Sequence, residues 1–273
     1  EVSSYVQTEL MVNDDLKYVL GLRYTDNERA GNDVSPNIGA VYEITKDGFL
    51  KVLYGEAFRS PNFFEQFAQA EPPILGDPNL KAEEIKTLDI IFDYKIFPNY
   101  RLITNIYALS THNTIERIPA SPPYALKYVN GNGHKIQGVE LSLDGNISKV
   151  ISVFANTTIK QGTLKSDNSD VPYLTKLLGN IGANWKLSKT TSMSSTLQYV
   201  GKRKDNDSNV SIDAYSLVNL QFIVAPNKFY KILFTVNNVL DEEYSYPEFI
   251  RENINDIPGG AGRAFYLKIG FNY

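Results

Sequence analysis

Residues 87–96 read Thr87-Leu88-Asp89-Ile90-Ile91-Phe92-Asp93-Tyr94-Lys95-Ile96. Leu88, Ile90, Phe92, Tyr94 and Ile96 share one parity, and Thr87, Asp89, Asp93 and Lys95 share the other, with Ile91 the exception. Successive side chains of a strand point to opposite faces, so this stretch predicts a strand with one apolar and one polar side. A helix would need apolar residues three and four apart. The pattern recurs outward along the chain. Tyr230, Ile232, Phe234 and Val236 alternate with Lys231, Thr235 and Asn237. Phe265, Leu267, Ile269, Phe271 and Tyr273 alternate with Tyr266, Lys268, Gly270 and Asn272. Tyr18–Tyr24, Val139–Asp144, Leu177–Leu187 and Met193–Tyr199 follow suit. The expected strands are 2–12, 16–25, 35–44, 49–58, 85–96, 100–111, 128–144, 150–161, 174–187, 191–201, 212–225, 229–238 and 263–273. Helix is expected only as a turn or two within 61–70.

The connections carry a second signal. Those at 13–15, 45–48, 97–99, 145–149, 188–190 and 226–228 are short and built from Gly, Pro, Asn, Asp, Ser and Lys, which is turn chemistry. Those at 25–34, 59–83, 110–135, 161–174, 201–212 and 244–262 are long, and the two kinds alternate along the chain. An up-and-down barrel across a membrane has short turns on one side and long loops on the other. Most segments run about 10–15 residues, against a globular mode of ~5–6 and the ~9–11 of a tilted membrane strand.

Composition agrees. Aromatic residues are 12% of the 273, with 18 Tyr. Tyr24, Tyr54, Tyr94, Tyr199 and Tyr273 stand near strand ends, where interfacial girdles form. A large soluble β-protein with an aromatic core would not explain the loop alternation. The net charge of −4 argues against nucleic acid held on a strongly basic face. Cys is absent, which removes disulfides, thiolate catalysis and Cys-ligated zinc. No apolar run is long enough for a transmembrane helix, and Glu1-Val2-Ser3-Ser4-Tyr5 does not read as a signal peptide. The fold class expected is all-β: an antiparallel up-and-down transmembrane β-barrel with about 13 strands in this chain. Bacterial single-chain barrels have even strand numbers. An odd count therefore implies further strands upstream, and residues 1–273 read as the C-terminal portion of a larger barrel.

Several segments resemble the TonB-dependent outer-membrane receptors. Tyr54-Gly55-Glu56-Ala57-Phe58-Arg59-Ser60-Pro61 resembles the family's Tyr-Gly-x-x-Phe-Arg-Ala/Ser-Pro. Gly76-Asp77-Pro78-Asn79-Leu80-Lys81-Ala82-Glu83 resembles Gly-Asn-Pro-Asn-Leu-Lys-Pro-Glu, with Asp77 and Ala82 as departures. Gly138-Val139-Glu140 is similar to its Gly-x-Glu strand, and Asn237-Asn238-Val239-Leu240-Asp241-Glu242-Glu243-Tyr244 to Asn-Leu-Phe/Leu-Asp-x-x-Tyr. Pro258-Gly259 and Gly262-Arg263 precede a last strand ending in Tyr273, where the family usually has Phe. The resemblance implies a barrel of about 22 strands enclosing a plug. It implies a bacterial outer-membrane location, with lipid around the barrel. It also implies that TonB acts through a plug to drive uptake of a ferric siderophore, cobalamin or similar cargo. The plug, the TonB-contacting box and the first strands have no counterpart in these residues.

Ligand capture is expected in the long connections. Candidates are Arg59, Phe63, Phe64, His112, Arg117, Tyr124, His134, Tyr246 and Arg251, since rings and guanidinium groups grip a bulky anionic chelate by stacking and charge. An arginine so placed more often pairs with an acid on a neighbouring strand or plug. Asp89, Asp93, Lys95, Glu140 and Lys231 are assigned by parity to the lumen or plug side, because charge is costly in hydrocarbon. His112 and His134 are far apart in sequence and show no i, i+4 ligand pattern, so no metal site is expected. No nucleophile elbow, phosphate loop or Ser-His-Asp order points to an enzyme, and no cofactor is called for. The rival readings are a self-contained passive pore, a structural barrel subunit and, more weakly, a membrane-barrel enzyme.

Overall fold

The stretch 87–96 lies inside a strand that runs Glu83–Phe97. In this computed structural model of the chain, the residues described are 2–28, 31–70, 74–204, 211–246 and 259–271. Thirteen strands build one sheet, each hydrogen-bonded to the strands before and after it in the chain. They are β1 (Val2–Met11), β2 (Leu16–Asn27), β3 (Gly31–Thr45), β4 (Gly48–Arg59) and β5 (Glu83–Phe97). Then come β6 (Tyr100–His112), β7 (His134–Asn146), β8 (Ile151–Leu164) and β9 (Leu177–Lys186). The series ends with β10 (Thr191–Val200), β11 (Tyr215–Asn227), β12 (Tyr230–Asn237) and β13 (Ala264–Phe271).

Each of the thirteen expected strands is present, with shifted ends. The connection expected at 25–34 is mostly strand. Thr25, Asp26 and Asn27 pair with Asp33, Asn32 and Gly31, and Gly31 takes a φ of 87°, which glycine adopts without steric cost. A polar composition read as loop therefore still carries a ladder. The strand expected over 128–144 starts only at His134. Residues Leu126–Asn130 form a separate short strand in another sheet. Gly133, at φ 78°, breaks the run, and a Cβ there would meet the Thr111 carbonyl oxygen at 2.3 Å. The short helix is α1, Phe63–Phe67.

The chain falls into two compact units. The first comprises 1–92, 106–137 and 162–171; the second comprises 93–105, 138–161 and 172–273. In the first unit, register aligns Leu20 with Ile38, Ile38 with Tyr54, and Val6 with Leu22. These residues form an exposed apolar face: Leu22 is 46% and Ile38 49% accessible. The other face is polar. Lys17 pairs with Glu9 at 3.1 Å, Arg23 donates to Ser3 at 3.1 Å, and Thr25 and Ser35 are buried. A soluble sheet would bury the apolar side; here large hydrophobic side chains are on show. Where β4 meets its long connection, Glu56 pairs with Lys86 at 3.0 Å and also binds the Tyr54 hydroxyl.

The second unit repeats the alternation with different polar chemistry. Its apolar row runs Ala155–Ile181–Leu197–Val218 and, further on, Phe222–Phe234–Leu267. Its polar face over β8–β11 is a ladder of amides and hydroxyls. Asn180 donates to Asn156 at 2.9 Å, Ser194 to Asn184 at 2.6 Å and Asn219 to Thr196 at 3.5 Å.

Candidate functional site

In the first unit two long connections fold together. Pro61 cannot donate to a ladder, so pairing stops after Arg59. Asn62 then caps α1. Its side chain accepts from the Glu65 amide at 2.9 Å, and Glu65 accepts in return from the Asn62 amide at 2.8 Å. Arg59 clamps this cap to the barrel. Its guanidinium reaches the two Glu65 oxygens at 3.0 and 3.1 Å and Glu83 at 2.5 Å. Glu83 also accepts from the Ile115 amide at 2.6 Å, which draws in the next connection. Burial is the largest influence on Glu65 and pushes its pKa up. The hydrogen bonds from Arg59 and Asn62, with the charge of Arg59, outweigh it and hold the carboxyl below its ordinary 4.5.

Behind the clamp, Gly76 passes so close to the end of α1 that a Cβ would sit 2.6 Å from three backbone atoms. Its amide donates to Ala68 at 2.8 Å. Asp77 turns the chain by accepting from Asn79 at 2.8 Å, which sends Leu80 into the interior at 3% exposure. Asn130 fastens the two connections from the other side, accepting from the Lys81 amide at 2.8 Å and donating to the Lys81 and Asn113 carbonyls. A four-stranded sheet of Gln69–Ala70, Ile74–Leu75, Leu126–Asn130 and Ile115–Pro119 completes a platform.

The platform displays rings. Phe63 is 70% exposed and lies 5.1 Å from Phe67 between centroids, and Phe64 meets Tyr128 edge-on at 6.3 Å. Arg117 is exposed and in register with Tyr128; Tyr124 is half-exposed in the turn beside it. His112 and His134, distant in sequence, meet around Thr111. The Thr111 hydroxyl lies 3.1 Å from His134 Nδ1, and Lys165 donates to the Thr111 carbonyl at 2.6 Å while standing 3.5 Å from His112 Nδ1. Among the described residues no three His, Asp or Glu side chains converge to hold a metal. Seven of the nine loop candidates thus fall in this unit. Arg59 is a positioning residue in it, because its donors are engaged by carboxylates.

Tyr246 lies in the second unit, and Arg251 falls outside the described residues. Asn238 organises this region. Buried at 3% and in the left-handed region at φ 49°, it receives the Glu242 amide at 2.8 Å and donates to the Glu242 and Ala261 carbonyls at 2.9 and 3.3 Å. Its own amide binds Asn219 at 2.9 Å, and Asp241 takes the Arg263 amide at 2.7 Å. Both ends of the 239–262 connection are therefore tied at one amide. Tyr215 and Tyr244 lie tilted beside it at 4.5 Å between centroids, and Tyr246 meets Tyr244 edge-on at 5.4 Å. The hydrogen bond with Tyr246, and then burial, push the Tyr244 phenol up to about 12. A cleft of about 630 Å³ opens against Tyr215, Tyr244, Asp241 and Glu243.

The five residues assigned by parity lie on polar faces. Asp89 is half-buried, while Asp93 is buried and held by Arg101 at 2.6 and 2.7 Å. Lys95, Glu140 and Lys231 are exposed. Sequence reasoning missed Glu65, Glu83, Asn130 and Asn238. Asn62-x-x-Glu65 is a legible capping box and pointed to the first of these. Asn130 had no local signal, because Lys81 lies 49 residues away.

Residues 1–239 match the sequence model of the TonB dependent receptor-like, beta-barrel family. The vitamin B12 transporter BtuB of Vibrio cholerae is 28% identical over 263 residues, which cover 92% of this chain and 39% of that protein. The catecholate siderophore receptor Fiu of Escherichia coli is 21% identical over 203 residues, or 70% of this chain and 26% of that one. Among solved structures, the ferric enterobactin receptor PfeA of Pseudomonas aeruginosa superposes with a TM-score of 0.85 at 17% identity, over 99% of this chain and 44% of that chain. At that identity the likeness is one of fold. This chain spans less than half the length of these relatives. The family match covers most of the chain and the strand order is that of the fold, so the chain belongs to the TonB-dependent receptor-like β-barrel family.

Proposed function

We propose that this chain is the C-terminal part of an outer-membrane receptor barrel whose long connections capture a metal chelate, most readily a ferric siderophore, for TonB-energised uptake. The observation that carries this reading is the aromatic platform of the first unit. Folding has organised exposed Phe63, Phe64 and Arg117 around the half-buried Tyr128 ring. Aromatic faces and a guanidinium suit a catecholate or other flat anionic chelate. The polar faces, with Asp89, Asp93, Lys95, Glu140 and Lys231, would face a plug and a wet lumen, and the apolar faces would meet lipid. TonB would act through the plug, supplied by residues outside this chain. The relatives named as a B12 transporter and a catecholate receptor support the transport class.

The test uses the full-length receptor in cells, comparing uptake of ferric catecholate, ferric hydroxamate and cobalamin with and without TonB. F63S/F64S is expected to weaken chelate binding on the order of tenfold while leaving the barrel assembled. Uptake of all three cargoes that persists without TonB would make the passive pore the better reading.

A further inference from the structure

The second unit carries a basic rim at the short-turn end of its strands. The turns 97–100, 145–151, 187–191 and 226–230 hold three lysines and no Asp or Glu, in a chain of net charge −4. These are Lys149, Lys189 and Lys228, all exposed. Each turn also presents an apolar tip. Phe97 is 64% exposed, Val150 50%, Leu187 58% and Phe229 48%.

The turns close on their own polar groups. Val150 donates to Ser148 at 3.3 Å, Thr190 to Ser188 at 3.1 Å, and Phe229 to Asn227 at 2.9 Å. Adjacent turns are also bonded to each other, through Asn146 to Asn99 at 3.0 Å, Lys186 to Val150 at 2.8 Å and Ala225 to Thr190 at 2.8 Å. These bonds link the turns along one edge of the sheet, where exposed lysines lie beside apolar tips. Lys228 stands 5.0 Å over the Phe229 ring, an ammonium and an apolar tip side by side.

We infer that this rim docks the headgroups of anionic phospholipid in the periplasmic leaflet. Lysine ammonium groups meet the phosphates, while Phe97, Val150, Leu187 and Phe229 enter the headgroup–acyl boundary. Charge complementarity favours an anionic headgroup over a zwitterionic one. The inference rests on the outer-membrane reading above, with the short turns on the periplasmic side as in outer-membrane barrels generally.

The test titrates the purified full-length receptor with phosphatidylglycerol and with phosphatidylcholine, reading bound lipid by native mass spectrometry. Phosphatidylglycerol is expected to bind more tightly, by about fivefold per contributing lysine. K149Q/K189Q/K228Q is expected to lose that preference, on the order of 100-fold. K149R/K189R/K228R is expected to keep it. Equal binding of the two lipids by the unmodified receptor overturns the proposal, as does an undiminished preference in the glutamine variant. If that variant misassembles, raising salt from about 0.05 to 0.5 M on the unmodified receptor decides, since a screened headgroup contact weakens and an uncharged one does not. Competition by millimolar inorganic phosphate would assign the site to free phosphate and overturn the docking surface. Chelate uptake in cells separates the two readings. Lost lipid preference with TonB-dependent uptake intact overturns this inference alone, and absent uptake with the preference intact overturns the function alone.

Discussion

In the first unit the connection after β4 is a small structure of its own, with a capped helix, a share of a second sheet and an Arg59 clamp between two glutamates. In the second unit the connection after β12 is tied chiefly by a neutral side chain, Asn238, with Asp241 adding one bond to the Arg263 amide. The polar faces differ in part: ion pairs such as Glu9–Lys17 in the first, and in the second one such pair, Asp93–Arg101, beside an amide–hydroxyl ladder over β8–β11. So do the short turns, which carry Asp14, Asp15 and Asp47 against one Lys46 in the first unit and only lysines in the second. The same alternating backbone accepts either chemistry, because a half-wet polar face asks only that each donor find an acceptor. Charge gives long reach and pH sensitivity; amides give short, fixed geometry.

Breaking the clamp is expected to have the largest effect. Arg59→Ala leaves Glu65, whose side chain is 12% exposed, without its cation. We expect a loss of about 3 kcal/mol of local stability, at the low end for a broken buried pair because the arginine itself is half-exposed. Hydrogen exchange over 60–82 in the full receptor should accelerate on the order of 100-fold, with the second unit unchanged. Unchanged protection over 60–82 would mean the platform stands without its ion pairs.

Asn238→Ala comes next, at about 2 kcal/mol, since it orphans the Glu242 amide and two carbonyls. Asn238→Gly relieves the left-handed backbone yet still loses the side-chain bonds, so it should fail nearly as badly. Near-native proteolytic resistance of 239–262 in the glycine variant would show that backbone conformation, not the amide, ties the connection.

A charge change sharpens the contrast between the turns. D14K/D15K should raise phosphatidylglycerol affinity by about fivefold per added lysine. No change would mean that lysines added to a short turn do not by themselves recruit the lipid.

The smallest effect is that of pH. Glu65 has a folded pKa below its ordinary value, so its stabilising contribution is complete above that value and is lost as pH falls through the folded one. Acidification below the ordinary glutamate range should loosen α1 and leave the bonds of the neutral Asn238 unaffected. Simultaneous loss of protection at 60–82 and 239–262 would refute a charge-specific difference.

The sequence by itself determined the strands. A period of two across ten or more residues admits one reading, and turns of Gly, Pro, Asn and Asp mark their own positions, so thirteen strands and their order were legible. Faces followed too, because parity alone separates Leu88 from Asp89. Family motifs were legible as letters, but their roles were not. Arg59 offered ligand capture and, more often for such a residue, ion pairing. Only folding brought Glu65 and Glu83, 6 and 24 residues away, to its guanidinium. The tertiary structure likewise brought His112 and His134 around Thr111, split the stretch 126–146 between two sheets at Gly133, and placed Asn130 against Lys81. The reason is one of range. Strand periodicity and turn chemistry are set by neighbours a few residues apart. A clamp, a platform and a tie are contacts across tens of residues, which exist only once the sheet has set the register.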